Sequence, residues 1–183
     1  GRQSRFGFLQ VRGLASVSEG ARVEVGEVDR TEAFVYSRRV MGNGEFAGLS
    51  DVLYVRPESF EAAQTPQIAG EVAKLNASLV EKKIPYVLVG FGRWGSADPW
   101  LGIPVLWSQI AGARVIVEAS TAQMSPDPSQ GSHFFHNLTG LGIPFFSVPD
   151  ESSGWVDWDW LAGQQTVEEH SFVRHVRLTG ELT

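Results

Sequence analysis

The sequence predicts an α/β fold: a mixed β-sheet with covering helices and a β-rich N-terminal portion. Three observations carry this expectation. Residues 65–83 have the spacing of one long amphipathic helix, while 86–89, 114–118 and 144–148 are short apolar runs of the kind found in inner strands. Residues 22–28 and 33–40 alternate or concentrate β-forming side chains, as half-exposed strands do.

In chain order, Arg22-Val23-Glu24-Val25-Gly26-Glu27-Val28 has the two-residue period of a strand with one wet face. Ala33 to Val40 is a second β-rich run. Asn43-Gly44 follows it and predicts a hairpin, because both turn residues tolerate positive φ; its partner strand is expected near Val52-Leu53-Tyr54-Val55. In the helix, Thr65 is placed to cap and Pro66 to occupy the first helical position. Ile68, Val72, Leu75 and Leu79 then share one face. Lys82 and Lys83 carry the charge that a helix C-terminus favours, and Pro85 ends the segment. Tyr86 to Val89, Arg114 to Glu118 and Pro144 to Val148 are the inner strands; His133 to Thr139 is a short helix, and Ser171 to Leu178 an edge strand. Trp155-Val156-Asp157-Trp158-Asp159-Trp160 reads as an amphipathic cover for the core ahead of a ligand platform.

Composition narrows the function classes. With 183 residues, 43% apolar and 20% charged, the chain is long enough to bury a core without staples, in keeping with the absence of cysteine. Residues 1–30 are read as an N-terminal β segment and 31–183 as the α/β module. A net charge of −6 and no basic run longer than Arg38-Arg39 or Lys82-Lys83 argue against nucleic acid as a partner. No apolar stretch approaches the length of a membrane span, and the first residues lead into no signal-peptide core, so no membrane contact and a cytoplasmic location are expected. A start at Gly1 suggests a piece of a protein that continues upstream.

Two loops hold the residues that could do chemistry, 90–104 and 128–139. Gly90-Phe91-Gly92-Arg93-Trp94-Gly95 matches G-x-G-x-x-G after a strand, and Glu118 sits where a ribose-binding acid would. That fingerprint must open a helix, however, and Pro99, Gly102 and Pro104 leave no room for one. What remains is a glycine-permitted loop carrying Arg93, Ser96, Asp98 and Trp100, whose backbone N–H groups and guanidinium could converge on an anion. The competing reading is a packed loop in which Arg93 pairs with Asp98 while Trp94 and Trp100 fill core. In the second loop, Ser129, Gln130, Gly131 and Ser132 precede a short helix whose N-terminus offers N–H groups to an anion. His133 there suits acid–base work or phosphate acceptance, although a packed histidine beside Phe134 and Phe135 is the commoner outcome. His133 and His136 share a helical face without a third ligand, so no metal site is expected.

At these residues the sequence resembles the C-terminal region of bacterial PEP/pyruvate-binding-domain proteins, also described as phosphoenolpyruvate synthase/pyruvate phosphate dikinase-like. The likeness runs through GFGRWGSADPWLGIPVLWSQIAGARVIVEAS (90–120) and PSQGSHFFHNLTGLGIPFFSV (128–148), with flanking support from DVLYVRPESF (51–60), IPYVLVGFGRWG (84–95), VDWDWL (156–161) and VRHVRL (173–178). The resemblance implies an accessory domain of a phosphotransferase whose upstream ATP-grasp domain uses ATP and Mg, with no cofactor in this module itself. It marks Gly92, Arg93, Trp94, Gly95, Ser96, Asp98, Pro99, Trp100, Ser129, Gln130, Gly131, His133 and Asn137 as the candidate site for a small anionic ligand. The family commonly carries Gln where this chain has His136, which weakens a two-histidine metal site. The phosphohistidine motif and barrel of true dikinases are absent from this sequence. The rival expectation is a non-catalytic docking or regulatory module for the ATP-grasp domain.

Overall fold

A computed structural model of the chain describes residues 31, 33–42, 46–121, 124, 138 and 140–182. In chain order they form β1 (Val35–Ser37), β2 (Arg39–Met41), β3 (Leu49–Val55), helix α1 (Thr65–Glu81), β4 (Tyr86–Phe91), β5 (Arg93–Trp94) and β6 (Gly102–Ile103). Then come β7 (Ala113–Ala119), β8 (Phe145–Val148), β9 (Gly154–Val156), helix α2 (Trp158–Ala162), β10 (Gln165–Glu169) and β11 (Val173–Leu182). The expected strand at 22–28 and the N-terminal segment 1–30 lie outside the described residues.

Seven strands make one mixed sheet in the order β10-β11-β3-β4-β7-β8-β2, so the α/β expectation holds. Its centre, β3-β4-β7-β8, is parallel and laid down in sequence order. Strands added in one direction by crossovers of one hand put every crossover on the same face. That is where α1 packs, together with Ile103, Val105 and Ile110 from the β4–β7 link and Ile143 from the β7–β8 link. Alternation along the strands sorts the rest: Leu53, Leu88 and Ile116 face α1, while Val52, Tyr54, Val87, Val89, Val115 and Val117 face the opposite cluster. The second face is closed by α2, through Leu161, and by the small β1–β9 sheet.

Helix α1 buries Ile68, Val72, Leu75 and Leu79, the face the spacing predicted. Two polar residues on it act as joints. Glu71 accepts the backbone N–H groups of Phe172 (2.9 Å) and Val173 (3.1 Å), and Asn76 accepts Tyr86 Oη–H (2.9 Å) and Gly112 N–H (3.0 Å). Thr65 is the first helical residue rather than the cap. A 3-10 turn (Ala62–Gln64) runs straight into the helix, and the Thr65 hydroxyl donates backwards to the Ala62 carbonyl at 3.1 Å. At the other end Lys83 has φ +57°, and Ile84 N–H closes onto Leu79 O at 2.9 Å, a Schellman ending with a lysine in the position glycine prefers. Lys83→Gly is therefore expected to stabilise the chain by about 0.5–1 kcal/mol, read as a higher urea midpoint at unchanged slope.

Two expectations about strands are corrected. The Asn43-Gly44 hairpin does not join β2 to β3: β2 pairs antiparallel with β8 at the far edge, and β3 lies between β4 and β11. The apolar β3 is buried along almost its whole length and takes inner neighbours on both sides, which leaves no edge for β2. The 171–178 strand is not an edge either. It is the start of β11, whose outer side pairs with β10, a strand whose five residues are all exposed. The tryptophan segment covers the core as expected, divided between β9 and α2. Trp155 on β9 stacks on Tyr36 with ring centroids 4.6 Å apart, Asp157 caps α2 by accepting Trp160 N–H at 2.8 Å, and Trp158 packs on Phe91 at 5.0 Å.

Candidate functional site

The C-terminal ends of β4 and β7 meet beside the loop 92–103. No α-helix separates β4 from β7; the link holds β5, β6 and a 3-10 turn at Trp107–Gln109. The glycine run accordingly opens no helix, and the argument against a dinucleotide site stands.

Each glycine of the run answers a packing demand. Gly92 and Gly95 have φ of +68° and +78°, and a Cβ on Gly90 would lie 2.3 Å from the Trp94 ring. That ring, 2% exposed, plugs the core, and its Nε1–H donates to Val117 O at 3.2 Å. The short parallel pair β5–β6 brings Gly102 against Arg93 so closely that no side chain fits between them.

Four of the backbone donors expected to cradle an anion are already used. Gly92 N–H goes to Ala119 O (2.9 Å), Arg93 N–H to Leu101 O (2.9 Å) and Gly95 N–H to Ile103 O (2.8 Å). Trp94 N–H goes to Glu118 Oε1 at 2.8 Å. An anion here would be met by side chains. Ser96 and Asp98 build the outer turn: Asp98 Oδ1 accepts Trp100 N–H at 2.9 Å, and the Asp98 carbonyl accepts Leu101 N–H and the Ser96 hydroxyl, each at 3.0 Å. Trp94 fills core, but Trp100 does not, standing 67% exposed at the tip.

Glu118 is the electrostatic centre of this edge. It is 7% exposed on β7 and points, like Ile116 two residues earlier, to the α1 side. Burial pushes its carboxyl up to about 8, against the opposing pulls of the Trp94 N–H bond and the Arg93 charge. At neutral pH it holds a proton, with the positive charge of Arg93 near enough to oppose the shift.

The second loop's candidates, Ser129, Gln130, Gly131, Ser132, His133, His136 and Asn137, lie outside the described residues, as does most of the expected helix at 133–139. The positions that bracket them are described. Met124 is buried with its sulfur against Gly92, and Leu138 is fully buried in the same cluster as Trp94.

No family model matches the chain, and neither a curated protein nor a solved structure is similar to it. The site is thus read from its own chemistry. Among the described residues no group of three or more His, Cys, Asp or Glu is placed to hold a metal ion, and no helix is long and apolar enough to cross a membrane.

The sequence reading passed over Glu118 as a site residue, weighing it only as a ribose-binding acid. Its signal was a lone carboxylate in a buried strand, on the side shared with Ile116. It also passed over Asp51, His175 and Arg177, which come together across β3 and β11.

Proposed function

We propose that this chain is an accessory domain of a phosphoenolpyruvate synthase/pyruvate phosphate dikinase-like phosphotransferase, and that its sheet edge binds a small phosphorylated or carboxylated molecule. The observation that carries the binding site is Glu118, a buried carboxyl that keeps its proton at neutral pH beside Arg93. A protonated carboxyl donates a hydrogen bond and a guanidinium grips oxyanions in a fork, so both favour a ligand rich in anionic oxygen. Met124 and Leu138 root the ends of the second loop in the core that holds Trp94, which supports pairing that loop with the first. His133 would then be the proton donor or acceptor, or the phosphate acceptor, with Ser129, Gln130, Ser132 and Asn137 as polar contacts. ATP and Mg belong to the upstream ATP-grasp domain, the expected partner within the same polypeptide.

A second reading, a docking module for that domain, is favoured by a different observation. Trp100, Leu101 and Leu106 are exposed on the same link, Trp100 and Leu106 by about two thirds.

A thermal-shift panel of phosphate, pyruvate, phosphoenolpyruvate, ATP and NAD separates the two, run on the chain and on Arg93→Ala. At about 100 times its Kd a ligand adds about 2.7 kcal/mol. A chain of this size then melts roughly 5–10 °C higher. The ligand reading expects a shift with phosphoenolpyruvate or another small anion that disappears in Arg93→Ala, with the variant's unliganded melting little changed. No shift with any ligand, or the same shift in the variant, would favour docking.

A further inference from the structure

The opposite end of the sheet carries a second constellation, away from the loop 92–103 and independent of the function proposed above. Asp51 on β3 and Arg177 on β11 are register partners, and His175 lies beside them on the same face. Asp51 and His175 are both buried, their side chains only 4% and 5% exposed. His175 Nε2 meets Asp51 Oδ1 at 2.6 Å, and Arg177 Nη2 donates to the same oxygen at 2.9 Å. In the neutral imidazole the Nε2 proton then goes to Asp51, and Nδ1 is left as an acceptor. Among the described residues Nδ1 has no hydrogen-bond partner, yet it is not sealed from solvent.

The ring lines a cleft of about 190 Å³ between the C-terminal half of α1 and the β10–β11 hairpin. Leu75, Leu79 and Ile84 give the cleft an apolar wall, and its charged lining is Lys82, Arg177, which is paired with Asp51, and Glu168, which is paired with His170. The space corresponds to about six waters of liquid volume, which suits an organic acid with a short chain. The two cations suit a carboxylate, and the apolar wall rewards a hydrocarbon tail.

We propose that this cleft binds a small aliphatic acid that carries a hydrogen-bond donor on its α-carbon, an α-amino or α-hydroxy acid. The carboxylate sits between Lys82 and Arg177, the α-substituent donates to His175 Nδ1, and the aliphatic chain lies on Leu75, Leu79 and Ile84. Asp51 is a positioning residue: it fixes which ring nitrogen faces the ligand.

The test is a calorimetric titration of the whole chain with leucine, leucic acid and isocaproic acid, repeated on Lys82→Ala, whose exposed side chain can be removed with the fold retained. The His175 ring resonances are followed in parallel. Leucine or leucic acid is expected to bind and to move those resonances. Isocaproic acid, which lacks the donor, should bind about tenfold more weakly, the worth of one hydrogen bond of about 1.4 kcal/mol. Lys82→Ala should weaken the better ligand by at least about tenfold, the low end of losing a charged hydrogen bond. The proposal is overturned if neither donor-bearing acid binds at about 10 mM, if isocaproic acid binds as well, or if Lys82→Ala binds unchanged.

Discussion

Replacing Glu118 by Gln should flatten the pH dependence of stability between about pH 4.5 and 8. The carboxyl titrates higher in the folded chain than in the unfolded one, so between these limits the folded state holds a proton that the unfolded state has lost. Stability from this group is fully present below about 4.5 and falls by about 1.4 kcal/mol per pH unit until the folded group ionises near 8. The full span is on the order of 5 kcal/mol, a large share of what a domain of this size possesses. Glutamine retains an oxygen to accept Trp94 N–H and has no proton to lose. Urea unfolding at pH 5, 6, 7 and 8 checks this: the variant should gain on the parent as pH rises. Parallel curves would show that Glu118 ionises normally.

Gly102→Ala is the second large effect. A Cβ there would lie 1.9 Å from Arg93 O and 2.5 Å from Arg93 N, and backbone cannot swing aside as a flexible side chain can. Relief requires parting β5 from β6, which also breaks Arg93 N–H to Leu101 O and Gly95 N–H to Ile103 O. A loss of at least about 3 kcal/mol is expected, from overpacking together with broken buried hydrogen bonds. Gly70→Ala is the matched control, because Gly70 is exposed in α1 with open space where its Cβ would be. That change should stabilise by about 0.5–1 kcal/mol. Paired thermal melts give the comparison; two changes of the same sign would contradict the packing argument.

The inner strands and α1 were legible because burial leaves a periodic trace. The apolar runs of β4, β7 and β8 sit in the sheet's centre, and Ile68, Val72, Leu75 and Leu79 mark the inward face of α1. Partner choice was not legible. Asn43-Gly44 announces a local turn, but an apolar β3 gains more from two inner neighbours than from a hairpin partner. Strand β10 escaped notice because Gln165-Thr166-Val167-Glu168-Glu169 is exposed throughout and carries no burial pattern.

In the candidate site the same logic separates what was read from what was missed. The prolines after Gly95 correctly excluded the crossover helix, and the loop does stand at the end of a parallel strand. The glycines misled, since the same residue type serves an open anion nest and a backbone packed tightly against its neighbours. Here Gly90 makes room for Trp94 and Gly102 for Arg93, so the N–H groups are turned to carbonyls and to Glu118. The glycine spacing alone does not distinguish those cases, because it does not record that Trp94 folds back over Gly90 or that β5 pairs with β6.

The most direct test of the account is a carbon-detected NMR titration of the Glu118 carboxyl, assigned by its loss in Glu118→Gln, with and without phosphoenolpyruvate. A midpoint at about 8 is expected in the free chain. The midpoint should rise in the complex, because an anion on Arg93 cancels the positive charge that now holds the value down. A midpoint near the ordinary 4.5, or one that saturating ligand leaves unmoved, would contradict it.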